Sequence, residues 1–180
     1  MTAPRVDLFA VIHKMLRVSI FDTASLIAKA DFTSEAQRAE VFEKFDETLT
    51  FLREHHAHED AYITPVVAKL DAELAARIES DHEVLDQSLE TLNSITSKLR
   101  EANAGSALPL GAELHLAFSV FIGDYLQHMA CEEVELNAAL WKHLSDDALA
   151  AIRAELQGSI APARFAEWFA YMVPAMNLHE

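Results

Sequence analysis

Along this chain apolar residues recur three and four positions apart in four long stretches and two short ones, and no segment alternates with strand period. Pro4, Pro65, Gly105, Pro109, Gly111, Gly158, Pro162 and Pro174 stand where such stretches would end or turn. The pattern predicts a first helix over about Val6 to Ala30, with Phe9, His13, Leu16 and Ile20 on one stripe. Ser34, with Gln37 three residues later, reads as a capping box that opens a second helix carrying Phe51, Leu52, His55, Glu59 and Tyr62 up to Thr64-Pro65. A third is expected from about Asp71 to Glu101, aligning Ile78, His82, Leu85 and Leu89. Residues Ala102 to Gly111 read as the one obvious linker, after which a fourth helix to about Leu144 lines up Phe121, Tyr125, His128, Glu132 and Leu136. Shorter helices are expected near Asp146–Gln157 and Ala163–Val173.

Four long helices with short joints predict an all-α fold, an antiparallel up-down four-helix bundle over residues 1–145 with a C-terminal helical appendage over 146–180. In the last helix Phe165, Trp168, Phe169 and Met172 form an apolar face that needs cover. The expected cover is the bundle itself, and the alternative is a homodimer contact with a second copy.

Composition narrows the function. The chain has 180 residues, 51% of them hydrophobic, enough for one domain with a real core. Its 14 Lys+Arg against 29 Asp+Glu give a net charge of −15, which repels phosphates and makes nucleic acid and anionic membrane poor partners. The N-terminal apolar stretch is broken by Asp7, His13, Lys14 and Arg17, no run looks like a membrane span, and Cys131 is the lone cysteine, so a cytoplasmic address is expected.

The nine histidines are the informative residues. His13, His55, His82 and His128 fall one on each long helix, on stripes otherwise filled by Leu, Ile and Phe. A single histidine there is usually a satisfied core residue, but four together waste core unless something binds them. A carboxylate four residues after a histidine lies on the same helical face and can offer an oxygen to the same metal. With 29 acids in 180 residues about one such pair is expected by chance, whereas five occur: His55/Glu59, His56/Asp60, His82/Asp86, His128/Glu132 and His143/Asp147. His56/Asp60 is rotated about 100° off the apolar stripe, and His143/Asp147 spans an expected helix end. His115, His143 and His179 read as surface or helix-end residues.

An internal repeat sharpens the choice. His13, Leu16, Ser19 and Ile20 align with His82, Leu85, Ser88 and Leu89, and each is followed one helix later by an HxxxE pair, His55/Glu59 or His128/Glu132. The order H, HxxxE, H, HxxxE implies two similar helix pairs facing each other, each able to supply one metal's ligands.

This ordered set over roughly residues 6–144 resembles the hemerythrin-like HHE cation-binding domain: His13 with Leu16-Arg17, the run His55-His56-Ala57-His58-Glu59-Asp60 with Pro65 beyond it, His82, and His128 with Glu132-Glu133. The resemblance implies a non-haem di-iron centre, oxo- or hydroxo-bridged, that binds or senses dioxygen, iron or nitric oxide. His13, His55, His82 and His128 would be terminal ligands, and Glu59 and Glu132 would bridge. Where oxygen-carrying members have a second histidine one turn along the third helix, this chain has Asp86, and where their last carboxylate stands five residues after the histidine it has Glu133. Asp86 and Glu133, with Tyr62 and Tyr125 one turn from expected ligands, form a second tier of metal-ligating or supporting residues.

Imidazole and carboxylate suit iron, with zinc or manganese less favoured, and six ligands in one core favour two metals over one zinc. Two other readings stand beside binding or sensing. One is a di-iron oxidoreductase or iron-centre repair protein acting on peroxide or nitric oxide, and the other is an adventitious surface patch of His55, His56, His58, Glu59 and Asp60 on an inert bundle.

Overall fold

A computed structural model describes residues 5–177, and among them the chain is all helix with no strand. Helix α1 spans Ala10–Lys29, α2 Glu35–Tyr62, α3 Thr64–Leu70, α4 Ala72–Glu101 and α5 Ala104–Cys131. A π turn at Glu132–Leu136 joins α5 to α6 (Asn137–His143), and α7 (Asp146–Ser159) and α8 (Pro162–Ala175) follow.

Local chemistry sets these ends. Asp7 accepts from the N–H groups of Phe9 and Ala10, so α1 starts later than its apolar stripe suggests. Gln37 departs from the expected box: Ser34 accepts from its N–H, but its side chain accepts from the Asp31 N–H. Asp71 caps α4 through Leu74, and Thr64-Pro65 opens α3 directly after α2.

The expected linker Ala102–Gly111 is instead almost wholly helical. Asn103 caps Gly105 and Ser106, and α5 begins at Ala104 with Pro109 inside it. Pro109 lies early enough in the helix to forfeit only one internal hydrogen bond. Gly111 is there for contact rather than for a turn, since a Cβ on it would stand 2.3 Å from the buried Phe32 ring. Gly123, on the exposed side of α5, has nothing within 4 Å of such a Cβ.

Helices α1, α2, α4 and α5 form a helical bundle in which α1 packs on α2 and α5, and α4 on α2 and α5. Their apolar faces make two clusters. One gathers Leu16, Ile20, Phe45, Leu52, Leu85, Leu89, Phe118 and Phe121. The other, at the opposite end, gathers Phe9, Ile63, Val67, Ile78, Leu136, Leu140 and Leu149. Along the long helices His13, His55, Glu59, His82 and Glu132 fall between residues of the two clusters, and His128 lies beside Met129 at the edge of the first.

By length and composition alone Ala104–His143 could cross a membrane, contrary to the expectation that no run looks like a membrane span. Here Leu114, Phe118 and Phe121 face the core while Leu108, Leu116 and Val120 are exposed.

The C-terminal helices close over the bundle, α7 against α2 and α8 against α1. Trp168 is buried, stacks edgewise on Phe51 and donates its Nε1–H to Glu54 at 2.8 Å. Burying such a ring contributes about 1.5–3 kcal/mol. Phe169, expected on the covered face, is half exposed because α8 turns only the Trp168 side inward. The N-terminal segment is held too: Arg5 donates to Asp146 and to the Trp141 and Leu144 carbonyls, and Trp141 donates to the Val6 carbonyl.

Gly111→Ala should lower stability by about 1–3 kcal/mol as Phe32 is displaced, whereas Gly123→Ala should raise it by about 0.5–1 kcal/mol through helix propensity. Thermal unfolding of the two variants checks this, and a neutral Gly111→Ala would show that the contact yields freely.

Candidate metal centre

Four helices aim polar groups into the layer between the two clusters. His13 comes from α1, His55 and Glu59 from one turn of α2, His82 from α4, and His128 and Glu132 from the end of α5 and the start of the π turn, and all six are buried. They fall into two groups of close donor atoms: His13, His55, Glu59 and Glu132 make one, and Glu59, His82, His128 and Glu132 make the other. Both carboxylates belong to both groups.

The distances suit donors gathered around shared cations better than hydrogen bonding among themselves. The Nε2 atoms of His13 and His55 face each other at 3.1 Å, and metal–imidazole bonds of about 2.0–2.1 Å meeting at a right angle would set two nitrogens ~3 Å apart. His55 Nε2 lies 3.2 Å from Glu59, and His13 and His128 Nε2 each lie 3.4 Å from Glu132. Both oxygens of Glu59, both of Glu132 and Nε2 of His82 are buried without a hydrogen-bond partner. Buried polar atoms are almost always satisfied, so five orphans converging in one layer call for a bound cation.

The π turn explains how adjacent acids on one helix take different work. Asn137 N–H returns to the Glu132 carbonyl, five residues back, and the extra residue leaves the Glu133 carbonyl to accept from the Asn137 side chain at 3.1 Å. Glu132 points into the layer, while Glu133 receives His13 Nδ1 at 3.0 Å and Arg17 at 2.5 Å. Glu133 therefore orients His13 from behind, and Asp60 does the same for His82, meeting its Nδ1 at 2.9 Å, whereas His128 Nδ1 is buried without a hydrogen-bond partner, with Asp81 3.8 Å away. A carboxylate behind the outer nitrogen fixes the tautomer and leaves the inner one free to bind metal.

A model of the hemerythrin HHE cation-binding domain matches residues 5–140, more than half of the chain. The chain belongs to that family. No curated protein matches it. For a hemerythrin-like domain, cation binding is the expected work of this layer.

The other expected residues are placed as follows. Asp86 has a mostly exposed side chain 3.5 Å from His56 Nδ1 and joins neither group of donors. Tyr125 is buried with its ring 6.0 Å from His128, whereas Tyr62, half-buried at the end of α2, also stands outside both groups. His115 and His143 are exposed, and His179 lies outside the described residues. Burial of His55, His56 and Glu59 overturns the reading of that run as a surface patch.

His56 is the residue that sequence reasoning set aside. It is buried with its ring 3.5 Å from that of His82, centroid to centroid, and 6.2 Å from that of His128. Because α2 packs on both α1 and α4, its inward arc is wide enough for two adjacent residues. The doublet Phe51-Leu52, one turn earlier and also buried, is the signal in the sequence that marks this width.

Electrostatics favour the neutral form of these side chains. Burial lowers the pKa of every imidazole here, His82 to about 2 and His128 to about 3; neighbouring imidazoles add to the effect at His55, His82 and His128, while Glu133 opposes it at His13. Burial likewise pushes Glu59 well up and Glu132 to about 8, so protons occupy the carboxylates where a hemerythrin-like domain would hold cations. Burial keeps the Tyr125 hydroxyl protonated.

A cavity of about 250 Å³ reaches this layer from the side of α7 and α8. It ends at His55 and Glu59, is walled mainly by Val11, Ile12, Ile63, Ile152, Leu156 and Trp168, and carries Asp7, Arg153 and Gln157 among its polar lining residues.

The raised pKa of Glu132, against an ordinary 4.5, means that the metal-free fold retains a proton the unfolded chain has released. That contribution is complete below the unfolded value and is lost as pH rises toward 8. The lowered imidazoles act oppositely, but only below about their ordinary 6.5. Metal-free protein should therefore lose on the order of 1 kcal/mol per pH unit between pH 6.5 and 8 in urea unfolding, and divalent metal should remove the loss. A flat profile without metal would contradict this electrostatic picture.

Proposed function

We propose that the chain is a non-haem di-iron protein of the hemerythrin-like type that binds or senses dioxygen, iron or nitric oxide. His13 and His55 would hold one iron, His82 and His128 the other, and Glu59 and Glu132 would bridge them within an antiparallel four-helix bundle. The observation that carries this reading is the sharing of both buried carboxylates by the two donor groups. Neutral imidazoles with carboxylates suit iron, with zinc or manganese less favoured, and the lack of a thiolate argues against a closed structural zinc site.

When bound, an iron pair supplies electrons and an open position for a diatomic ligand. The chain's own residues supply the setting. Glu133 and Asp60 hold His13 and His82 in register, the mainly apolar cavity admits a small uncharged gas, and the bundle excludes bulk water from the layer. Tyr125 keeps a proton beside His128, where its hydroxyl can serve a ligand as a hydrogen-bond donor.

A second reading, a di-iron oxidoreductase or iron-centre repair protein acting on peroxide or nitric oxide, draws on one feature. At about 250 Å³ the cavity far exceeds a diatomic molecule, and Asp7, Arg153 and Gln157 give it polar edges by which protons and reductant could enter.

Metal analysis of purified protein, followed by anaerobic reduction and oxygen titration, tests both. Binding predicts about two irons per chain and a spectral change reversed by removing oxygen. Turnover sustained only while a reductant is supplied would favour the enzyme, and a single zinc or no metal would reject the di-iron centre. His128→Ala should lose metal, and full occupancy in that variant would reject the assignment of ligands.

A further inference from the structure

Two openings lead from solvent toward the buried histidines, and their chemistry differs. The cavity beside α7 and α8 is walled mainly by apolar side chains, a path on which a divalent cation would lose its hydration with little in return. The other is a recess of about 350 Å³ in the seam between α2 and α4, lined by His56, Asp60, Asp86, Arg53 and Glu90 among others, the last two paired at 3.8 Å. The Asp60 and Asp86 side chains there are more than half exposed, whereas His56 is 7% exposed. His56 Nδ1 lies 3.5 Å from Asp86, and its Nε2 is buried without a hydrogen-bond partner. The donor atoms of His56, Asp60 and His82 gather within 4.8 Å of one another, in a group apart from the two that share Glu59 and Glu132. His82 links the recess to the layer: its Nδ1 meets Asp60 at 2.9 Å, and its Nε2 lies 3.9 Å from Glu132. Asp60 receives His82 on Oδ1, and a carboxylate has lone pairs left for a further partner.

We infer that the seam between α2 and α4 is a loading site for divalent cations, where Asp86 and Asp60 capture a hydrated ion, His56 binds it from the buried side, and His82 leads it into the layer. The inference rests on the two-metal reading and adds the route by which the layer is filled. Two carboxylates and a neutral imidazole balance a divalent charge, and such oxygen and nitrogen donors suit ferrous iron or Mn(II). Exposed acids in the seam draw cations from solution, and the chain's net charge of −15 favours the same sign of ligand. Few ligands also make the site a place of passage. Asp60 is shared with His82, so the seam holds a cation less firmly than a layer with two bridging glutamates and two imidazoles for each metal. The two openings then divide the traffic, cations entering between α2 and α4 and an uncharged ligand entering beside α7 and α8.

Anaerobic loading with ferrous iron, stopped at intervals with a chelator and compared with uptake at equilibrium, tests this without any activity. Asp86→Asn should slow loading about tenfold and leave the final uptake at two equivalents. His56→Gln should do the same, with helix content by circular dichroism unchanged. Asp22→Asn, which removes an equal charge from the exposed face of α1, should load at the wild-type rate. Once loaded, wild type should bind one further Mn(II), read as loss of the free-ion electron paramagnetic resonance signal, and Asp86→Asn should not. Wild-type rates in both seam variants, equal slowing in Asp22→Asn, or no further Mn(II) in wild type would overturn the inference and leave the di-iron reading in place. So would loss of an iron equivalent at equilibrium in His56→Gln, which would assign His56 to the inner pair. A wild type that takes up no iron would overturn the two-metal reading, and the loading site with it.

Discussion

Everything in this molecule is arranged around one costly feature, a layer of ionisable side chains buried between two apolar clusters. His13, His55, His56, Glu59, His82, His128 and Glu132 are all nearly inaccessible. By themselves such side chains persist in an apolar interior only in their neutral form, because isolated charges there are too expensive. The lowered imidazoles and raised glutamates are that neutral form. Cations reverse the balance: neutral imidazoles are already fit to coordinate, and two carboxylates that give up their protons offset part of the added charge. The bundle is thus a poor apolar core and a good metal container.

Precision comes from outside the layer. The rim carboxylates Glu133 and Asp60 meet the outer nitrogens of His13 and His82, so part of the chain's acid surplus orients the buried imidazoles. The π turn at Glu132–Leu136 lets two adjacent glutamates divide the work, one inward and one behind His13. The C-terminal helices add the remaining element, since α7 and α8 wall a cavity that ends at His55 and Glu59.

Much of this was legible before any coordinates. Helical periodicity located the four long helices, and the ordered HxxxE repeat selected the six residues that converge. Failures had local causes. Gly105, Pro109 and Gly111 suggested a linker, but Asn103 caps a helix there and Gly111 is spent on contact with Phe32. A single 3.6-residue stripe excluded His56, although a helix with neighbours on two sides buries adjacent residues. The choice between Glu132 and Glu133 depended on a π turn, which no spacing rule announces.

The central claim is that two metals share Glu59 and Glu132. Mössbauer and electron paramagnetic resonance spectra of protein loaded with iron-57 and oxidised test it most directly. Irons bridged by shared ligands must couple antiferromagnetically, giving an EPR-silent diferric pair with a diamagnetic ground state. The signal of isolated high-spin ferric ions at full loading would contradict the account.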